Sequence, residues 1–113
     1  MRLVVAYIKP ERLPAVKQSL FDAKVFKISI MSAMGCGEEP GYHEEYRGTG
    51  LEVDLLKRVR LEIAINEDYL QPTIDAITEG AKTGKVGDGK IFVYKLEECV
   101  RIRTGETGSN AIG

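Results

Sequence analysis

The chain has 113 residues, 43% of them hydrophobic and 29% charged, and this composition is typical of a single folded domain. Its 16 basic and 17 acidic side chains sum to a net charge of −1, which gives no overall positive field and argues against nucleic acid as a partner. No apolar run is long enough for a signal peptide or a membrane span, so the sequence predicts a cytoplasmic protein without membrane insertion.

The N-terminal part of the chain predicts a strand followed by a helix. Residues 3–8, LVVAYI, form an apolar run of strand length, and Pro10 then favours the first turn of a helix. Pro14 falls in the same opening turn, where a missing N–H costs little. The apolar positions of this helix, predicted through about residue 23, recur at helical spacing: Leu13, Val16, Leu20 and Phe21.

The next two ordered segments alternate between apolar and polar residues, which predicts β-strands. The second strand is predicted over residues 25–34, and its apolar side carries Phe26, Ile28, Ile30 and Met34. In the third strand, Arg58, Arg60 and Glu62 lie on one face. The opposite face is entirely apolar and consists of Val59, Leu61, Ile63 and Ile65.

A second helix is predicted from about Asp68, with Pro72 in its opening turn and Gly84 as its C-cap. Residues 91–96 then form a fourth strand. The core stripe of the helix consists of Leu70, Ile74, Ile77 and Ala81.

The resulting order, β-α-β-β-α-β, predicts an α+β, ferredoxin-like fold in a single domain over residues 1–113: an antiparallel sheet with two helices on one face. The other face of the sheet is left open. Because Tyr7, Met31 and Ala64 make that face partly apolar, we expect it to be buried against other copies of the chain.

Residues 35–54, between the second and third strands, are rich in glycine and glutamate and too long for a hairpin turn, which usually has about 2–5 residues. We expect a mobile loop that carries an interaction. Cys36, at its start, forms no C-x-x-C pair with Cys99, so both thiols are expected to be reduced, with a regulatory disulfide as the alternative.

Two motifs near the C-terminus point to a phosphate-bearing ligand. Residues 83–93, TGKVGDGKIFV, offer glycine N–H groups between Lys85 and Lys90. Residues 101–108, RIRTGETG, place two arginines on the same side of an extended segment. The first motif is not a P-loop, because Ile91 replaces the magnesium-binding Ser or Thr and a strand follows instead of a helix. A plain glycine-rich turn between a helix and a strand is the alternative.

With this layout, the chain resembles the PII signal-transduction proteins over nearly its whole length. The resemblance rests on the two C-terminal motifs, on residues 46–48 (YRG) and on residues 8–10 (IKP). It implies a homotrimer of ferredoxin-like domains with ATP, ADP or AMP in each cleft between neighbours. It also implies that residues 35–54 are a T-loop, through which a transporter or enzyme of nitrogen utilization is regulated.

Carried over by position, the resemblance implies a phosphate-binding turn at residues 83–90 and a C-terminal loop at residues 98–109. Two interpretations of Glu62 are open. Its carboxylate accepts a hydrogen bond from the nucleotide's exocyclic amine, or it faces solvent. The implied nucleotide-binding residues are Ser29, Gly35, Glu62, Ala64, Gly87, Asp88, Gly89, Lys90, Phe92, Arg101 and Arg103.

The T-loop departs from the family pattern. Leu51 stands where the family usually has the tyrosine that is uridylylated, so that modification is not expected. Glu39 replaces a glutamine that helps magnesium hold 2-oxoglutarate, and Arg58 replaces a lysine. A carboxylate at Glu39 can still ligate Mg²⁺, but it repels a dianionic acid, so we do not expect 2-oxoglutarate to be sensed.

Glu38 replaces a basic residue near the terminal phosphate, which disfavours ATP relative to ADP or AMP unless a metal bridges the charges. Together with His43, the loop glutamates allow a metal-responsive loop as an alternative to solvated side chains. The expected partner-binding residues of the T-loop are Glu38, Glu39, His43, Tyr46, Thr49 and Leu51.

Three functions are consistent with these features. The first is a nucleotide sensor that regulates a partner without chemistry of its own. The second is a weak ATPase, which is disfavoured because the only histidine lies in the loop, away from any acid–base partner. The third is an adaptor that senses a metal or a small anion. We therefore expect a regulator rather than an enzyme.

Overall fold

The computed structural model describes residues 1–36 and 55–113. The predicted order of four strands and two helices is present, and a short third helix follows it. Single 3-10 turns at Pro10–Arg12 and Glu67–Tyr69 lead into the first two helices. The elements are β1 (Arg2–Ile8), α1 (Leu13–Asp22), β2 (Ser29–Gly35), β3 (Leu56–Ile65), α2 (Leu70–Ala81), β4 (Lys90–Lys95) and α3 (Ser109–Ile112).

The four strands form one antiparallel sheet in the order β2-β3-β1-β4. The two central strands are β1 and β3, in which Val4 lies opposite Ile63. Both are almost entirely apolar on one face, as expected for strands covered by helices. The predicted ferredoxin-like fold is confirmed.

The hydrophobic core lies between the sheet and the helices. Val16 and Leu20 of α1 and Ile77 of α2 are at most 1% exposed, and each buried side chain of this size stabilises the fold by about 1.5–3 kcal/mol. The stripe of α1 is narrower than predicted, since Phe21 is 39% exposed and stacks against Phe26. From the sheet, the core receives Val4, Ala6, Ile8, Val59, Leu61, Ile63 and Ile65.

Two predicted boundaries are wrong. The strand β2 begins at Ser29, because residues 25–28 have no regular secondary structure and do not pair with β3. The helix α2 ends at Ala81, and Lys82 is already extended, so Gly84 is not the C-cap. Gly84 does have a positive φ of 85°, but it belongs to the turn that follows the helix.

The open face of the sheet carries two rows of residues across the strands. Ser29, Glu62, Val5 and Phe92 are successive partners in one row. Met31, Arg60, Tyr7 and Lys90 form the next. On this face Arg60 donates to the Tyr7 hydroxyl and pairs with Glu62 at 3.0 Å. The face is therefore partly apolar, as the sequence predicted, and also carries the ion pair between Arg60 and Glu62, which the sequence did not predict.

The two helices touch at Gly80. A Cβ on this residue would lie 2.6 Å from the Cα of Val16 and 2.9 Å from the carbonyl oxygen of Ala15, both backbone atoms that cannot move aside. Gly80→Ala should therefore destabilise the protein by about 2 kcal/mol, although the same change in an open helix gains up to about 1 kcal/mol. Chemical denaturation measures the difference, with Glu79→Ala on the exposed side of α2 as the control. An alanine at residue 80 that left stability unchanged would contradict this helix contact.

Candidate functional site

The turn at residues 83–90 is pressed against the end of β1. Gly89 has φ +106°, and a Cβ there would lie 1.7 Å from the carbonyl oxygen of Tyr7. Only glycine fits this contact, because any side chain would overlap a backbone atom. The close approach fixes the path of the turn and brings Lys90 into register with Tyr7 at the start of β4.

Asp88 holds the turn from inside. One carboxylate oxygen accepts hydrogen bonds from the backbone N–H groups of Thr83 and Gly84 at 2.8 and 2.9 Å. The other accepts from the Thr83 hydroxyl and lies 3.5 Å from the ammonium of Lys9. These bonds, those from Thr83 foremost, hold the pKa of Asp88 well below its usual range, so the carboxylate is ionised at neutral pH.

Sequence reasoning missed two parts of this network. Neither Lys9 nor Thr83 was counted among the candidate site residues. Both lie inside motifs that carried the resemblance, which was the available signal. Thr83 accepts the N–H of Lys85 at 3.2 Å as well as donating to Asp88, so its hydroxyl links both halves of the turn.

A wide cleft of about 940 Å³ opens beside this turn. Among the residues that the structure describes, its wall carries one acidic side chain, Glu11, and several cationic ones. The cations belong to three separate segments, which the fold brings together at one end of the sheet. They are Lys9, Lys57, Arg58 and Lys85. This end of the molecule is therefore suited to an anionic group.

The resemblance implies that Ser29, Gly35, Glu62 and Ala64 line the adenine and ribose side of the nucleotide. Three of them lie on the open face of the sheet and towards its opposite end, whereas Gly35 pairs with Leu56 at the end where the basic cleft lies. Ser29 and Glu62 are direct partners in the sheet, and Ala64 is the next residue of β3 on that face. Ala64 also lines a pocket of about 150 Å³, next to the aromatic residues Phe26 and Tyr69. The carboxylate of Glu62 is half-exposed and engaged by Arg60, an arrangement that neither of its two readings included.

The prediction that Arg101 and Arg103 project from an extended segment is wrong. Residues 102–104 form a turn, which the N–H of Arg101 closes by donating to the carbonyl of Glu106 at 2.8 Å. The Gly105 N–H donates in return to the carbonyl of Arg101 at 2.7 Å. The spacing of two residues therefore does not place these arginines on one side, and Arg103 lies exposed on the turn.

Arg101 is held within its own chain. Its guanidinium contacts a carboxylate oxygen of Glu106 at 2.8 Å and the carbonyls of Asn110 and Ala111 at 3.2 and 3.3 Å. The helix α3, which the sequence analysis did not predict, supplies these carbonyls at its C-terminal end, where a cation is favourable. Of the five N–H groups of Arg101, these bonds leave the Nε–H and one on Nη1 to contact a ligand.

The two predicted phosphate-binding groups lie at opposite ends of β4. Lys90 is its first residue, and the C-terminal loop begins after its last residue, Lys95. Six residues of strand span about 17 Å. Asn66, at the far end of β3, donates to the carbonyl of Ser109 at 3.1 Å and keeps α3 at that end. A single chain thus separates Lys90 from Arg101.

The predicted T-loop residues Glu38, Glu39, His43, Tyr46, Thr49 and Leu51 lie outside the described residues. Gly35 is the last residue of β2, and Cys36, which follows it, is exposed. In residues 1–36 and 55–113, both cysteines are free, and no three His, Cys, Asp or Glu side chains are placed to hold a metal ion. No helix in these ranges is long and apolar enough to cross a membrane.

Comparison with known proteins gives a consistent result. Residues 1–106 match the model of the family described as nitrogen regulatory protein P-II. The chain is 48% identical over 114 residues to nitrogen regulatory protein GlnK1 of Methanosarcina mazei, covering 99% of this chain and 97% of that protein. It is 45% and 46% identical over 112 residues to nitrogen regulatory proteins P-II of Mesorhizobium japonicum and Bradyrhizobium diazoefficiens, covering 99% of this chain and all of each relative.

Proposed function

The chain belongs to the nitrogen regulatory protein P-II family, and we propose that it senses adenine nucleotides at a site shared between neighbouring copies. As a member of that family it is a PII signal-transduction regulator, and regulators of this family act on partner proteins. The nucleotide specificity, the assembly and the site residues are the parts that we propose.

The observation that carries the proposal is the shape of the turn at residues 83–90. Gly89 packs against β1 and Asp88 bonds the turn from inside, so contacts within the chain itself fix the shape of the turn. A fixed turn with glycine N–H groups, a lysine and a basic cleft beside it is suited to bind phosphate oxygens with little loss of conformational entropy.

The separation of Lys90 from Arg101 along β4 supports the assembly of several copies of the chain into an oligomer. If Arg101 and Arg103 bind the same phosphates as Lys90, they must come from a second copy, because about 17 Å of strand divides them within one chain. The open sheet face supports the same conclusion, since Phe92 and Tyr94 are 45% and 52% exposed on it. A closed ring of three identical chains satisfies both requirements, with one shared site at each junction.

We assign the regulation of the partner protein to the T-loop, residues 35–54. The resemblance to the PII proteins implies that nucleotide binding at residues 83–90 changes how this segment contacts a transporter or an enzyme of nitrogen utilization. The segment carries Glu38 and Glu39, so we expect ADP or AMP to be favoured over ATP and 2-oxoglutarate not to act as an effector.

Calorimetric titration tests the function directly. We expect binding of adenine nucleotides, with ADP or AMP bound more tightly than ATP in the absence of Mg²⁺, and no binding of 2-oxoglutarate. Titrating ATP with and without Mg²⁺ shows whether a metal offsets the repulsion by Glu38. A chain that bound no adenine nucleotide under any of these conditions would contradict the proposal. Rapid metal-dependent turnover that is lost in Lys90→Ala would instead indicate an enzyme.

A further inference from the structure

The side chain of Asp88 is turned towards its own chain. Three donors from Thr83 and Gly84 converge on its two oxygens, and the ammonium of Lys9 lies 3.5 Å from one of them. The flanking glycines, Gly87 and Gly89, have φ values of +96° and +106°, which lets the backbone curl around the carboxylate. The turn is therefore built around this group.

A carboxylate is a poor direct contact for a polyphosphate. At the short distances within a binding site, two like charges repel, and the repulsion is strongest where water is excluded. The pairing with Lys9 also removes a cation from the basic cleft. By charge alone, Asp88 should weaken phosphate binding in two ways, by repelling the phosphate directly and by neutralising Lys9.

We propose that Asp88 is a positioning residue of the nucleotide site: its carboxylate fixes the turn at residues 83–90 through Thr83, Gly84 and Lys9, and does not contact the nucleotide. The inference rests on the proposed function, because it assumes that phosphates bind this turn. Asp88, which the resemblance placed among the nucleotide-binding residues, is thereby given a structural role instead.

Lys9 extends the same arrangement to β1. It follows that strand directly, and its carbonyl accepts the N–H of Arg12 at 3.0 Å. The side chain of Arg12 in turn donates to the carbonyl of Gly80 at 2.9 Å, near the end of α2. Besides the pairing of β1 with β4, side-chain contacts of Arg12 and Asp88 thus join the β1–α1 connection to α2 and to the turn that precedes β4.

A pure charge effect and a positioning role predict opposite changes in nucleotide affinity when Asp88 is replaced. Asp88→Asn removes a negative charge and releases Lys9, so a charge effect alone would tighten nucleotide binding. A positioning role requires weaker binding, because an amide cannot accept from all these donors at once. We expect ADP to bind Asp88→Asn at least about tenfold more weakly than the unaltered chain, corresponding to loss of one or more hydrogen bonds to a charged group.

Glu11→Gln is the matched control. Glu11 is exposed and lines the same basic cleft, so its substitution removes one negative charge without touching the turn. We expect slightly tighter ADP binding in this variant, the direction that a charge effect alone gives. Both variants are titrated calorimetrically at low and high salt, since a charge effect is screened by salt and a positioning effect persists.

Thr83→Val provides a second, milder variant. It removes the hydroxyl that donates to Asp88 and accepts from Lys85, and leaves the charge unchanged. We expect weaker ADP binding, and less than additive weakening when it is combined with Asp88→Asn, because both changes break the same bonds. If Asp88→Asn does not fold, weaker binding by Thr83→Val supports the proposal, and unchanged affinity overturns it.

The results separate this inference from the proposed function. Failure of the unaltered chain to bind any adenine nucleotide would overturn the proposed function and the inference with it. Binding by the unaltered chain, together with equal or tighter binding by folded Asp88→Asn, would overturn only the positioning role.

Discussion

Gly89→Ala is expected to destabilise the protein by about 3 kcal/mol or more and to abolish nucleotide binding. The new Cβ would lie 1.7 Å from the carbonyl oxygen of Tyr7, so either the turn or the end of β1 must move. Either movement displaces Lys90, which follows directly in the chain. The effect appears in denaturant-induced unfolding and in ADP titration of the folded protein.

Gly84→Ala is the control for this substitution. Gly84 lies in the same turn with φ +85°, but no atom lies within 4 Å of a Cβ built on it. An alanine there incurs only the cost of a left-handed backbone, about 1–2 kcal/mol. Both variants are compared at equal protein concentration, since assembly affects apparent stability. Equal destabilisation by the two substitutions would contradict the contact between Gly89 and Tyr7.

Mixed oligomers of two defective chains are expected to recover about one quarter of the native nucleotide sites. One chain carries Lys90→Ala, and the other carries Arg101→Ala with Arg103→Ala. Each alone should bind at least about tenfold more weakly, because charge-assisted hydrogen bonds are lost. In a ring of three, every mixed oligomer contains one junction at which an intact turn meets an intact C-terminal loop.

The fraction follows from random assembly. At equal proportions about three quarters of closed trimers are mixed, and each restores one of its three sites. The chains are unfolded together and refolded, and the number of tight sites is read from ADP titration. Separately refolded chains, mixed afterwards without exchange, are the control. No recovery in the mixed oligomers would contradict a site divided between copies.

The sequence was most informative where side chains repeat with a fixed period. Val59, Leu61, Ile63 and Ile65 defined the buried face of β3 because a strand covered by helices needs an apolar residue at every second position. The start of β2 was predicted wrongly because the alternation of apolar and polar residues indicates which side chains are buried. Whether a segment pairs depends on the position of a partner strand. Residues 25–28 continue the alternation but do not pair with β3.

The candidate site was less predictable because its geometry depends on contacts between distant segments. The motif at residues 83–90 marked the turn, but the ion pair between Lys9 and Asp88 joins residues far apart in sequence. The same holds for Arg101, whose guanidinium is occupied by Glu106 and by the carbonyls of α3. From their spacing the two arginines looked equivalent, whereas among the described residues Arg101 is bonded to its own chain and Arg103 lies exposed on a turn.

The separation of Lys90 and Arg101 along β4 has a thermodynamic consequence for the proposed sensor. A ligand held jointly by two chains binds the assembled form better than separate subunits, so mass action makes nucleotide and assembly stabilise each other. Dilution would then lower the apparent affinity even though no contact had changed. The protein's own abundance would then contribute to the nucleotide concentration at which it responds.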